Sequence, residues 1–137
     1  MEIKSEQGMV LAGEKLAKKI LMDGIRVIEL VGDVGVGKTT LTKGLARGLG
    51  VKESVTSPSF TISKTYAGRD GRMLVHYDFY RLGEPGIMIE DLEEKLADEK
   101  NVVVIEWGES VKGVLPEGHL TVLVEYCEDG GRRVEIK

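Results

Sequence analysis

Apolar residues at Val10, Leu16, Ala17, Ile20 and Leu21 recur at helical spacing. Ser5 and Glu6 precede them, a capping hydroxyl and a negative charge at the helix head. The pattern predicts a first helix that Gly24 ends. Residues 27–31 (Val-Ile-Glu-Leu-Val) read as a strand, 32–37 as a glycine-rich loop, and 38–49 as a helix. On that helix Leu41, Leu45 and Leu49 lie one turn apart, and Gly48 and Gly50 bracket its end. After a loop at 55–58, residues 60–66 read as a strand and 67–71 as a turn. Residues 74–80 alternate: Leu74, His76, Asp78 and Tyr80 on one face, Val75, Tyr77 and Phe79 on the other. Gly83-Glu84-Pro85-Gly86 breaks the chain, and 89–96 form a short amphipathic helix. Val102-Val103-Val104-Ile105 is apolar on both faces, as a buried central parallel strand would be. Residues 120–126 and 132–136 flank Glu128-Asp129-Gly130-Gly131, a hairpin signature.

Composition adds bounds. A chain of 137 residues suits one domain, here expected to be 1–137, and needs no disulfide or structural metal. Aromatics make up 5%, so the core must be aliphatic. The single cysteine, Cys127, can neither close an internal disulfide nor complete a zinc site, and reads as a half-buried strand residue. No basic segment with an apolar run follows Met1, and no run reaches the roughly 20 residues of a membrane span. A cytoplasmic location and no membrane contact are expected. Net charge is −4 with acids and bases interspersed, so direct DNA binding is not expected, and any service to RNA would go through a partner.

Gly32-Asp33-Val34-Gly35-Val36-Gly37-Lys38-Thr39 matches the phosphate-binding pattern G-x-x-x-x-G-K-[ST] in full. Glycines let successive N–H groups turn inward, and with the following helix N-terminus they surround phosphate. Lys38 offers a mobile positive charge to the β and γ phosphates; Thr39 offers a hydroxyl to magnesium. Chance produces such a match in roughly one chain of this length in two hundred. Here an apolar strand enters the loop and a well-patterned helix leaves it. The expected fold is therefore α/β: a three-layer P-loop NTPase domain with a mixed, mostly parallel sheet and a C-terminal antiparallel hairpin. ATP and Mg2+ are the expected ligands.

Such a loop needs a carboxylate at a neighbouring strand end to hold magnesium or its waters. Asp78 and Glu106 both have that form, and strand ends in open α/β sheets face the ligand crevice. One would help hold the metal with Thr39; the other would orient or deprotonate the attacking water. The residues alone leave the division open. Thr56-Ser57-Pro58-Ser59-Phe60 is either a loop that senses the γ-phosphate or a turn set by Pro58. Arg81 suits a phosphate contact or a surface ion pair. Trp107 suits a wall of the nucleotide pocket, a docking point or core packing. His76 and His119 read as structural.

The phosphate loop continued to Thr40, with Ser57-Pro58-Ser59-Phe60, His76-Tyr77-Asp78-Phe79-Tyr80-Arg81-Leu82 and Ile105-Glu106-Trp107, resembles the TsaE (formerly YjeE) family over nearly the whole chain. The resemblance implies a partner-dependent ATPase needed to form threonylcarbamoyladenosine in tRNA. It implies work with TsaB and TsaD, whose assembly ATP hydrolysis resets, with tRNA served indirectly. It implies that Lys38, Thr39 and Thr40 meet phosphates and magnesium, together with the loop residues Gly35, Val36 and Gly37. Glu106 would be the Walker-B-type carboxylate, Asp78 a second active-site acid, and Trp107 a neighbour of the nucleotide. Ser59 stands where threonine is usual and Gly108 where proline is common.

Two other classes fit the loop. A stand-alone small-molecule kinase would need an arginine-rich lid, and no arginine-rich segment follows the core. A nucleotide-sensing subunit without catalysis would share every motif. No Asn-Lys-x-Asp guanine-reading motif is present.

Overall fold

In the computed structural model the described residues are 1–33, 35–56, 63–79 and 87–137. Residues 57–60 of the expected hydroxyl-rich loop at 56–60, Tyr80, Arg81, the break at 83–86 and Val34 lie outside them.

Helix α1 (Glu6–Asp23) begins where Ser5 Oγ accepts the Gly8 N–H at 2.9 Å. Such a cap contributes about 1 kcal/mol. Gly24, left-handed at φ 70°, closes the helix. Its buried face is Met9, Ala12, Gly13, Leu16, Ala17 and Ile20. Leu21 lies off that face and is 39% exposed, because each residue turns about 100° around the helix. Helix α2 (Lys38–Gly48) buries Leu41 and Leu45, with Leu49 at its cap. The two helices approach to backbone contact. A Cβ on Gly44 would lie 2.0 Å from the Val10 carbonyl oxygen, and one on Gly13 2.2 Å from that of Leu41. Glycine is required at both crossings, for space and not for backbone angle.

The sheet order is β1–β7–β6–β2–β5–β4–β3, with β1 Glu2–Ile3, β2 Val27–Val31, β3 Ser63–Ala67, β4 Met73–Asp78, β5 Asn101–Glu106, β6 Leu120–Tyr126 and β7 Arg132–Ile136. The four strands β6, β2, β5 and β4 run parallel; β3 pairs antiparallel at one edge, and on the other side β7 pairs antiparallel with both β6 and the edge strand β1. This is the expected mixed α/β sheet with its C-terminal hairpin, its parallel part confined to the middle. Every residue of β5 is buried, as its unbroken apolar run requires. Cys127 is half-buried, one residue past β6.

Helices cover both faces. On one, α1 and α2 pack on Ile28, Leu30, Leu74, Val102, Val104, Val122 and Val124. On the other, α3 (Ile87–Ala97) and a 3-10 segment at Gly108–Val114 cover Val27, Val75, Tyr77, Phe79, Val103 and Ile105. The alternation read along β4 is thus the division between the two cores. No described helix is long and apolar enough to cross a membrane.

Candidate functional site

The site forms where β2, β4 and β5 end on the α2 side of the sheet. β2 leads into the phosphate-binding loop, whose glycines have distinct tasks. Gly35 and Gly37 take φ of 79° and 114°, backbone that L side chains rarely adopt. A Cβ on Gly32 would lie 2.5 Å from the Val124 carbonyl oxygen, so β6 presses against the loop there. Arg132 of β7 donates from Nε to the Val36 carbonyl at 3.0 Å. Its guanidinium is held by the Gly130 carbonyl at 2.9 Å and lies over the Tyr126 ring at 4.3 Å. The hairpin thereby anchors the loop at the Val36 carbonyl. Thr39 and Thr40 stand half-buried on the first turn of α2.

Lys38 is 5% exposed. Its ammonium donates to the Gly32 carbonyl at 2.6 Å, lies 3.6 Å from Glu106 Oε1 and sits 4.2 Å from the centre of the Trp107 ring. A buried cation is therefore met by a carbonyl, a carboxylate and an aromatic face together. Trp107 reaches that place by an unusual backbone. Its φ of 56° and ψ of 48° are left-handed for a non-glycine residue, which costs on the order of 1 kcal/mol. The turn takes the chain off β5 and lays the indole on the lysine. Gly108, next in the chain, has no room for a side chain without displacing something: a Cβ would lie 3.1 Å from Glu29 Oε2 and from Ile105 Cγ2. The backbone behind Trp107 is thus closely packed.

Glu106, 4% exposed, ends β5, and Asp78 is its register partner at the end of β4. The Phe79 N–H bonds the Glu106 carbonyl at 3.1 Å and holds the two ends together. The second Glu106 oxygen, Oε2, lies 2.5 Å from His76 Nε2. His76 is fully buried. Its position in the site was not read from the sequence, where a histidine inside a strand passes as structural; only the β4–β5 register brings it to Glu106.

Of the expected site residues, the structure brings Lys38, Glu106 and Trp107 into contact, places Asp78 beside Glu106, and sets Gly35, Val36, Gly37, Thr39 and Thr40 around the loop. Among the described residues, cavities lie on either side of that loop. One of about 420 Å3 is lined by Ser5, Met9, Gly37, Thr40 and Arg132; one of about 440 Å3 is lined by Val31, Asp33, Trp107 and Tyr126.

The chain that carries this site has relatives. The family model described as threonylcarbamoyl adenosine biosynthesis protein TsaE matches residues 3–134. The chain belongs to the TsaE family. It is 35% identical to the tRNA threonylcarbamoyladenosine biosynthesis protein TsaE of Haemophilus influenzae, over 98% of this chain and 85% of that one. It is 41% identical to the protein of the same name from Streptomyces coelicolor, over 82% and 76%. The crystal structure of Bacillus subtilis YdiB superposes with a TM-score of 0.74 at 29% identity, covering 98% of this chain and 80% of that one. The resemblance carried by the motifs is thus a family membership, and TsaE relatives are named for a step in tRNA modification.

Proposed function

We propose that this TsaE-family chain binds ATP with Mg2+ in the loop from Gly32 to Thr39 and hydrolyses it in support of threonylcarbamoyladenosine formation in tRNA, in the cytoplasm and together with TsaB and TsaD. One observation carries the hydrolytic part: Lys38, Glu106 and Trp107 meet at one point at the mouth of a loop whose backbone is shaped for phosphate.

The donor chemistry fits the metal. The Thr39 hydroxyl and the Asp78 and Glu106 carboxylates are hard oxygen donors, which magnesium prefers. Among the described residues no group of three or more His, Cys, Asp or Glu forms a metal cage. A cation here would therefore take its other ligands from phosphate and water, as magnesium in nucleotide sites commonly does. Bound Mg2+ would supply neutralisation of the triphosphate charge. The chain's own residues do the rest. Loop N–H groups bind the phosphates and Lys38 tracks charge on the outer ones. Of Asp78 and Glu106, one helps hold the metal or its waters and the other orients the attacking water. Trp107 shields the lysine from solvent.

The test is ATP hydrolysis by the purified chain, alone and with TsaB and TsaD, beside a pull-down with and without ATP. Weak turnover alone, stimulation by the assembly, and loss of both in Lys38→Ala and Glu106→Ala are expected. Unchanged complex-supported hydrolysis in Glu106→Ala would remove Glu106 from the mechanism. Robust phosphate transfer to a small acceptor without partners would overturn the reading in favour of a kinase. Repeated rounds of modification with a non-hydrolysable analogue would reduce the chain to a nucleotide sensor.

A further inference from the structure

His76 is hard to account for as a structural residue. It is fully buried on β4, and among the described residues its Nδ1 has no hydrogen-bond partner. A buried polar atom left unpaired costs stability, and an apolar side chain of similar size would avoid that cost. The ring is satisfied at one atom only, Nε2, and that atom is aimed at Glu106 Oε2. The lone pairing also fixes the tautomer. With no acceptor beside Nδ1 among the described residues, the less costly neutral tautomer carries its proton on Nε2, which donates to the carboxylate. Glu106 is then strung between two partners, His76 on Oε2 and Lys38 on Oε1 at 3.6 Å. Rotation of the carboxylate breaks the shorter contact.

We propose that His76 is the positioning residue of Glu106: it dedicates Oε2 to the protein and leaves Oε1 as the single oxygen offered to Lys38 and to whatever the loop binds. Register supports this division. His76 and Asp78 point to the same sheet face, two residues apart, and Asp78 pairs with Glu106 itself. The two strand-end acids thus differ in kind. Glu106 is buried and clamped; Asp78 is half-buried, nearer solvent. The proposal rests on the hydrolytic reading of Glu106 and narrows it, since a clamped carboxylate presents one oxygen in one direction.

The first test needs no turnover. Nitrogen-15 NMR of the imidazoles, with His119→Gln to tell the two histidines apart, should place the proton of the neutral His76 ring on Nε2. A proton on Nδ1 in the neutral ring overturns the proposal. The second test is kinetic. Groups that orient a metal or its ligands typically change activity about 10- to 100-fold when removed. His76→Leu is expected to lower kcat by about that factor, to leave KM for MgATP within about threefold, and to keep or raise Tm. His76→Gln, which places an N–H near the position of Nε2, should recover most of the loss; His76→Asn, whose amide reaches only as far as Nδ1, should not. In a Glu106→Gln background His76→Leu should add little, because residues that act as a unit are not additive. Wild-type kcat in His76→Leu beside a low kcat in Glu106→Gln would sink the positioning role alone. Wild-type kcat in Glu106→Gln would sink the hydrolytic reading beneath it.

Discussion

The two halves of the site are built by different means. The loop half, from β2 through Gly32–Thr39 into α2, is made of backbone: glycines at positive φ, a carbonyl gripped by Arg132, and a helix set against α1 with no room for a side chain at Gly13 and Gly44. The carboxylate half, at the ends of β4 and β5, is made of side chain on side chain. There His76, Glu106, Lys38 and Trp107 touch in series, and Tyr77, on the far face, ties β4 to α3 through Asp91 at 2.5 Å. Backbone contacts fail all at once when a methyl group is added. Side-chain contacts fail one at a time. The loop half should therefore answer substitution with lost folding, and the carboxylate half with lost chemistry in a folded protein.

The largest effect that would break this contrast is at Gly44. A Cβ there lies 2.0 Å from the Val10 carbonyl oxygen, closer than any relaxation of one side chain can relieve. Gly44→Val should force α1 and α2 apart and cost on the order of 4 kcal/mol or more, at the top of the overpacking range. Urea unfolding measures it. A variant as stable as wild type would mean that the helix pair is not the rigid backing of the loop.

This contrast also explains what was legible in the sequence. Fixed glycines and an apolar strand announce the loop half, because its chemistry lies in consecutive residues. The hairpin and the apolar run Val102–Ile105 of β5 are equally plain. Glu106 and Asp78 could be named from their places after strands, but their adjacency depends on the pairing of β4 with β5, which no local pattern records. His76 was passed over for the same reason. The two-residue β1 was missed because it is too short to show a period, and its pairing with β7 is entirely tertiary. The turn at Gly108–Val114 carries no capping signal. Arg132 looked like one charge of a hairpin; its hold on Val36 spans 96 residues.

Arg132 gives the middle-sized effect and sharpens the comparison, since the loop half leans on its side chain through the Val36 carbonyl. Arg132→Met keeps much of the apolar stem but drops the bond to the Val36 carbonyl. One lost hydrogen bond from a charged group in a partly exposed place is worth about 1.5 kcal/mol. If it serves to hold the loop in its phosphate-ready shape, the loss should appear as roughly tenfold weaker nucleotide binding with little change in Tm. Emission of Trp107, the only tryptophan, reports binding because the indole lies on Lys38. A fall in Tm with unchanged affinity would make Arg132 a strut of the hairpin and no part of the loop.

The smallest effect belongs to the carboxylate half and has a pH signature. The Tyr77 hydroxyl is pushed above the usual tyrosine range, first by burial and then by its bond to Asp91 and the negative charge there. The sign follows from proton counting. Below about pH 10 the hydroxyl is protonated whether the chain is folded or not, so its contribution is fully present. Above that pH the unfolded chain releases the proton while the folded chain keeps it, and stability falls as pH rises. Tyr77→Phe should cost about 1 kcal/mol at neutral pH, the net worth of one hydrogen bond. It should also flatten the alkaline fall in stability by up to one proton per molecule. Unfolding free energies of both proteins at pH 7, 9.5 and 10.5 measure the difference. Parallel curves would show that Asp91 does not hold that hydroxyl, and that α3 is joined to β4 by its apolar contacts alone.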